Sequence, residues 1–138
     1  MNNDNCIFCK IVSNEIEAVT IYEDEEFKVF LDVFPATKGH VLIIPKEHVT
    51  NIFELEEEKA GRLFKVATKV AKTLKEVLDI EGLNLVQNNG EMAGQTVFHF
   101  HLHLIPRYKD DKVTIKWATQ KTNSEQLKEL QQKLKNNL

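Results

Sequence analysis

Residues His99-Phe100-His101-Leu102-His103-Leu104-Ile105 alternate imidazoles with large apolar side chains. Strict alternation has the period of a β-strand, which puts the three imidazoles on one face and Phe98, Phe100, Leu102 and Leu104 on the other. Three titratable rings side by side are a costly arrangement for a merely structural strand and a useful one for chemistry. A strand rises about 3.4 Å per residue, so the Cα atoms of His99 and His103 stand roughly 13 Å apart. Imidazole nitrogens sharing a zinc ion, each about 2.0 to 2.1 Å from the metal, must come within roughly 4 Å of each other. All three rings on one ion are therefore disfavoured, and at least one is left for covalent or acid/base work. A His-x-His pair holding a catalytic metal, His99 with His101, stays open as an alternative.

The second chemical signal is Cys6-Ile7-Phe8-Cys9. A C-x-x-C pair in a chain expected in a reducing compartment suggests zinc rather than a disulfide. Tetrahedral structural zinc needs four ligands, and the histidines available to complete the set are His40, His48, His99, His101 and His103. Two reduced thiols without metal are the alternative.

The rest of the chain must position these groups. Its 138 residues, 42% hydrophobic and 28% charged, suffice for one soluble globular domain with a core. A net charge of -3 without a basic cluster disfavours a nucleic-acid surface. No apolar run approaches the roughly 20 residues of a membrane span, and the polar residues 1–5 do not resemble a secretion signal. The expected location is the cytoplasm.

Periodicity predicts one or two helical turns over 6–12. Strands are predicted over 19–22 and 27–31, joined by a turn at Glu23 to Glu26, and over 40–44 after the breakers Pro35 and Gly39, the three forming a meander. Between 55 and 78, Leu63, Phe64, Ala67, Val70, Ala71, Leu74, Val77 and Leu78 recur at helical steps, giving a long amphipathic helix ended by Gly82. A strand over 83–86, a polar stretch 88–96 and the histidine strand follow. A last helix is predicted over 124–134, with Ser124 as N-cap and Leu127, Leu130 and Leu134 as its apolar stripe. Strands, then helix, then strands imply an α+β fold with an antiparallel sheet.

The run His99 to Ile105 resembles the His-φ-His-φ-His-φ-φ motif of the histidine triad (HIT) family. Asn88-Asn89-Gly90, Gly94-Gln95-Thr96-Val97, Asp32-Val33, Gly39-His40 and Ile44-Pro45 resemble its further motifs at matching intervals. The likeness covers Cys6 to Arg107 and is nearest to small bacterial Hit proteins and the Hint branch. It implies a single HIT domain over 1–138, core 6–107, with a C-terminal extension 108–138 that carries a helix. The implied fold is α+β, with a five-stranded antiparallel sheet, one long helix and shorter terminal helices, pairing into a two-fold homodimer.

The resemblance also implies a function. Family members bind a purine nucleotide and cleave at its α-phosphate through a nucleotide held covalently on the middle histidine, His101 here. Imidazole, with a reference pKa near 6.5, is largely neutral and nucleophilic at cytoplasmic pH. His103 is then the phosphate-side partner, His40 its support from the neighbouring strand, and Gln95 and Thr96 lie near the leaving group. Backbone N–H groups around Gly94 would cradle phosphate oxygens. Asp32 would accept the ribose hydroxyls, Asn88 would place ribose or phosphate, and the base pocket maps to Ile7, Phe8, Ile11, Ile16, Phe30 and Val33.

Read from the residues alone, Asp32 better suits a strand end capping a turn, and Asn88-Asn89-Gly90 a hairpin. Some bacterial members hold structural zinc with residues matching Cys6, Cys9, His48 and His99. That assignment leaves His101 and His103 free for catalysis. A non-catalytic nucleotide-binding protein is the remaining alternative.

Overall fold

The computed structural model describes residues 4–138. Part of the polar start read above, residues 1–3, lies outside them. The architecture is α+β: a five-stranded antiparallel sheet with three α-helices. Helix α1 (Ile7–Val12) precedes strands β1 (Thr20–Glu23), β2 (Phe27–Leu31) and β3 (Val41–Pro45). Helix α2 (Glu57–Leu78), strand β4 (Gly82–Val86), strand β5 (Leu102–Arg107) and helix α3 (Ser124–Lys135) follow. The sheet order is β1-β2-β3-β5-β4, so the first three strands form the expected meander and β4 occupies an edge.

Asp24 makes the first hairpin turn, its Oδ1 accepting from the backbone N–H of Glu26 and Phe27 at 2.8 and 2.7 Å. This is the local bonding that favours Asp in turns. Strands β2 and β3 are almost wholly buried because both faces are covered. Phe27, Val29, Val41 and Ile43 pack with Leu63, Val66, Ala67, Val70 and Leu74 of α2. Phe30, Leu42 and Ile44 pack on the opposite face with Cys6, Phe8, Cys9 and Ile11. Alternation thus hands one parity to the long helix and the other to the short one. Buried Lys28 lies on the second face and donates from Nζ to the Ile11 carbonyl at 3.1 Å, satisfying the C-terminal end of α1.

Several expected boundaries move. The histidine strand does not begin at His99: β5 starts at Leu102, and His99 and His101 lie in the irregular approach to it, where the Phe100 N–H donates to the Val49 carbonyl rather than to a sheet neighbour. Phe98 is half exposed rather than core. Helix α2 begins at Glu57 rather than 55 and is ended by Asp79 in the left-handed conformation (φ 50°) instead of by Gly82, the first residue of β4. Phe64 and Val77 of the predicted stripe face outward. Asn123, not Ser124, is the N-cap of α3, with its side-chain oxygen accepting from the Gln126 N–H. Gly39 is required where it stands: its φ is 87°, and an added Cβ would meet Leu78 Cδ1 at 2.5 Å.

Candidate active site

Register places the polar groups. Leu42 pairs with His103, so His103 shares the α1 face of the sheet with Phe30 and Leu42, and His40, two residues before Leu42, has the same parity. His101 continues that alternation into the approach segment. A cavity of about 370 Å³, within the small-ligand range, opens on this face. Ile7, Phe8, Ile11, Ile16, Phe30, Asp32, Val33, Thr96, His101 and His103 all line it, which gathers the expected base-pocket residues around two of the three histidines.

Other expected residues stand elsewhere. His40 is buried behind His103. The Gln95 side chain is buried and bridges loops, accepting from the Gly90 N–H and donating to the Thr50 and Val97 carbonyls. The Gly94 and Gln95 N–H groups bond to the Glu91 and Gly90 carbonyls, so these two close a turn. Asn88 lies beside Gly94, its Nδ2 3.6 Å from where a Cβ would be, and does not line the cavity. Thr96 alone of the Gly94-Gln95-Thr96 stretch reaches it. Leu42, Val97, Phe34 and Glu17 also line the cavity without having been singled out. The β2–β3 register exposes Leu42, opposite Phe30, as a neighbour of the pocket, and Val97 belongs to the quoted motif; nothing local marks Phe34 or Glu17.

Backbone contacts assign the protons on the rings. His101 Nδ1 lies 2.7 Å from the His99 carbonyl, which can only accept, so Nδ1 carries hydrogen and Nε2 keeps its lone pair. The Ala36 N–H donates to His40 Nδ1 at 2.9 Å. His40 Nε2 must then carry the proton and donate to His103 Nδ1, 2.9 Å away. His103 in turn keeps its hydrogen on Nε2. Asp32 Oδ2 lies 3.7 Å from His40 Nε2, beyond hydrogen-bond reach, while Oδ1 accepts from the Phe34 N–H at 2.8 Å. The turn-capping and cavity-lining readings of Asp32 therefore hold together.

Burial makes these rings neutral. It lowers His101, opposed by the bond to the His99 carbonyl and by Asp32. It lowers His40 against the pull of Asp32. It pushes His103 down to about 4, helped by His101 and His40, and His99 likewise to about 4. Phe8 stands edge-on to His101, with ring centroids 5.1 Å apart, and closes one side of that ring.

A second cluster lies on the other side of His101. The ligand atoms of Cys6, Cys9, His48 and His99 all lie within 4.8 Å of one another. His99 donates Nε2–H to the Pro45 carbonyl at 2.8 Å and turns Nδ1 toward Cys6 Sγ (3.3 Å) and Cys9 Sγ (3.6 Å). His48 Nδ1 lies 3.3 Å from Cys9 Sγ. Two thiols and two imidazoles in a mostly buried tetrad are the donor set of a closed zinc site, and the Pro45 carbonyl fixes the ring of His99 as a ligand histidine requires. A catalytic ion shared by His99 and His101 is not what this geometry prepares. The free nitrogen of His99 faces the cysteines, and Nδ1 of His101 is held by a carbonyl.

Residues 13–110 match the HIT domain. The protein Hit of Bacillus subtilis is 46% identical over 117 residues, 84% of this chain and 81% of that protein. A crystal structure of a HIT family protein from Bacillus anthracis is 45% identical and superposes over 98% of both chains with a TM-score of 0.94, the C-terminal tail included. An adenosine 5'-monophosphoramidase of Candida albicans is 38% identical over 97% of this chain and 91% of its own length. A zinc-bound histidine triad family protein from Mycobacterium smegmatis is 39% identical over 84% of both chains, with a TM-score of 0.76. Among the described residues, no helix is long and apolar enough to cross a membrane.

Proposed function

The chain belongs to the HIT family as a bacterial Hit-like protein, and from that premise we propose that it hydrolyses or transfers purine nucleotides at the α-phosphate through a nucleotide carried on His101. The observation that carries the reading is the bond from His101 Nδ1–H to the His99 carbonyl. It leaves Nε2 as a neutral nucleophile in a ring that lines the cavity beside His103 and Asp32. A C. albicans relative named as an adenosine 5'-monophosphoramidase supports a nucleoside phosphoramidate as substrate class.

In the first half-reaction the substrate nitrogen takes a proton from solvent, the Nε2 lone pair forms a bond to the α-phosphorus, and the bond from phosphorus to the leaving group breaks with release of the neutral amine. His103 Nε2–H hydrogen-bonds a phosphoryl oxygen or the departing nitrogen. In the second half, water forms a P–O bond and gives a proton back to solvent, the P–N bond breaks with its electron pair returning to Nε2, and the imidazole regains its starting state. Asp32 Oδ2 accepts the ribose hydroxyls, the base lies against Ile7, Phe8, Ile11, Ile16, Phe30 and Val33, and Thr96 adjoins the phosphate. Asn88, Gly94 and Gln95 act at one remove by shaping the loop that carries Thr96. His40 acts through His103 as a positioning residue.

Cys6, Cys9, His48 and His99 are proposed to hold a structural Zn²⁺, which supplies rigidity and no catalytic ligand position. It would fasten α1, one wall of the cavity, to the segment that carries His101. Reduced thiols at that site fit a cytoplasmic setting. The exposed face of α2 around Phe64 and the open edge of β4 suit pairing with a second copy into a two-fold dimer.

The test is intact-mass analysis after brief acid quench with adenosine phosphoramidate. The expected result is a gain of one adenylyl group by the wild-type chain and none by His101→Gly. Labelling of the variant overturns His101 as the attachment point. A wild-type chain that binds nucleotide yet never gains mass or releases adenosine monophosphate marks a binding protein instead.

A further inference from the structure

An exposed apolar stripe lies outside the site. Every residue from 114 to 138 is exposed, and among the described residues none of them hydrogen-bonds back to the domain. The last tie is Arg107, which clasps Asp111 through two bonds and donates to the Val113 carbonyl. Beyond it, α3 stands free with Leu127, Leu130 and Leu134 each about half exposed and four or fewer residues apart, and Trp117 is 80% exposed. A twelve-residue helix in water is marginal by itself and does not hold a fixed place without packing. Yet the tail keeps its place in the B. anthracis crystal structure, since a TM-score of 0.94 over 98% of both chains leaves no room for a differently placed tail.

Charge identifies what it fits. Residues 114–138 carry five lysines and two glutamates, a net +3, and the whole chain is -3, so the remainder is -6. Outside the α2 face around Phe64 the body also leaves Ile52 and Phe53 exposed, close in sequence to the exposed acids Glu54, Glu57 and Glu58, a surface able to take leucines flanked by lysines.

We propose that residues 114–138 form an arm that docks, through the Leu127, Leu130 and Leu134 face of α3, on the acidic body of a second copy of this chain. The inference goes beyond the pairing through α2 and β4 and rests on it only for the existence of a dimer. Each copy holds the other, which makes α3 stable only in the assembly.

The test mixes ¹³C-labelled and unlabelled full-length protein and reads isotope-filtered contacts from the leucine methyls of α3. Contacts to the body of the other copy are expected, with a tenfold or larger rise in the dimer dissociation constant for L127Q/L130Q/L134Q. These substitutions lie on a half-exposed face outside both core clusters of the domain. A dimer without cross-copy contacts overturns the arm and leaves the pairing intact, whereas a monomer overturns both. Contacts within one chain, or methyl shifts only on adding phosphatidylglycerol vesicles, overturn it as well. Adenylylation of His101 on the same samples reports the catalytic reading separately.

Discussion

Two groups of potential ligands flank His101, and at first sight they are alike. The ligand atoms of Cys6, Cys9, His48 and His99 lie within 4.8 Å of one another, and so do those of Asp32, His40 and His103. The backbone separates them. Around His99 a carbonyl, that of Pro45, takes the Nε2 proton and leaves a lone pair aimed at the thiols. Around His40 an N–H, that of Ala36, occupies the Nδ1 lone pair and forces a proton onto the nitrogen that a metal would need. One cluster is prepared for a cation and the other for passing a hydrogen bond to His103. The type of backbone group behind a histidine, more than the histidine itself, decides which.

The largest expected effect breaks the first cluster. Metal removal by chelation, or Cys9→Ala, should cost about 4 kcal/mol of stability at zinc a thousandfold above its dissociation constant, read by urea denaturation. Elemental analysis should find one zinc per chain; two would mean that Asp32, His40 and His103 also bind metal and that the proton assignment is wrong. Next comes His40→Ala, which frees His103 to place its proton on either nitrogen. Turnover should fall about 10²-fold with nucleotide affinity nearly unchanged, and an equal loss in affinity would make His40 a binding residue.

The pH dependence sharpens the same contrast. His103 and metal-free His99 titrate near 4 when folded and near 6.5 when unfolded. The unfolded chain therefore binds more protons between these values. Stability of the metal-free protein should be full above about 6.5 and fall as pH drops toward 4. A urea midpoint that is flat over this window contradicts the burial of the rings. The smallest effect is expected from Asp32→Asn, whose amide oxygen still accepts the Phe34 N–H. Loss of the charged acceptor should weaken nucleotide binding about tenfold by calorimetry, with adenylylation of His101 retained at saturation.

The long helix and the five strands were legible because helical periodicity and short apolar runs report which segments must leave water, whereas the two buried faces of β2 and β3 were not, both being largely apolar. The helix ends were less legible too. Asp79 in a left-handed cap and the start of β5 at Leu102 depend on tertiary packing and on the Val49 carbonyl, which diverts Phe100 from the sheet. Cavity residues such as Phe30 and Asp32 were legible through the resemblance to the HIT family, whereas Glu17 and Phe34 enter only because chain turns bring them to the rim.

By itself the sequence determined the alternation of three imidazoles with core side chains, the cysteine pair and the match to the HIT family. All of these are local patterns, set by residue order and strand or helix period. Only the tertiary structure decided which nitrogen of each histidine is free. A proton's position on an imidazole follows from the carbonyl or N–H across from it, and folding sets that partner: Pro45, from a distant strand, for His99, and Ala36, across the turn that leads into β3, for His40.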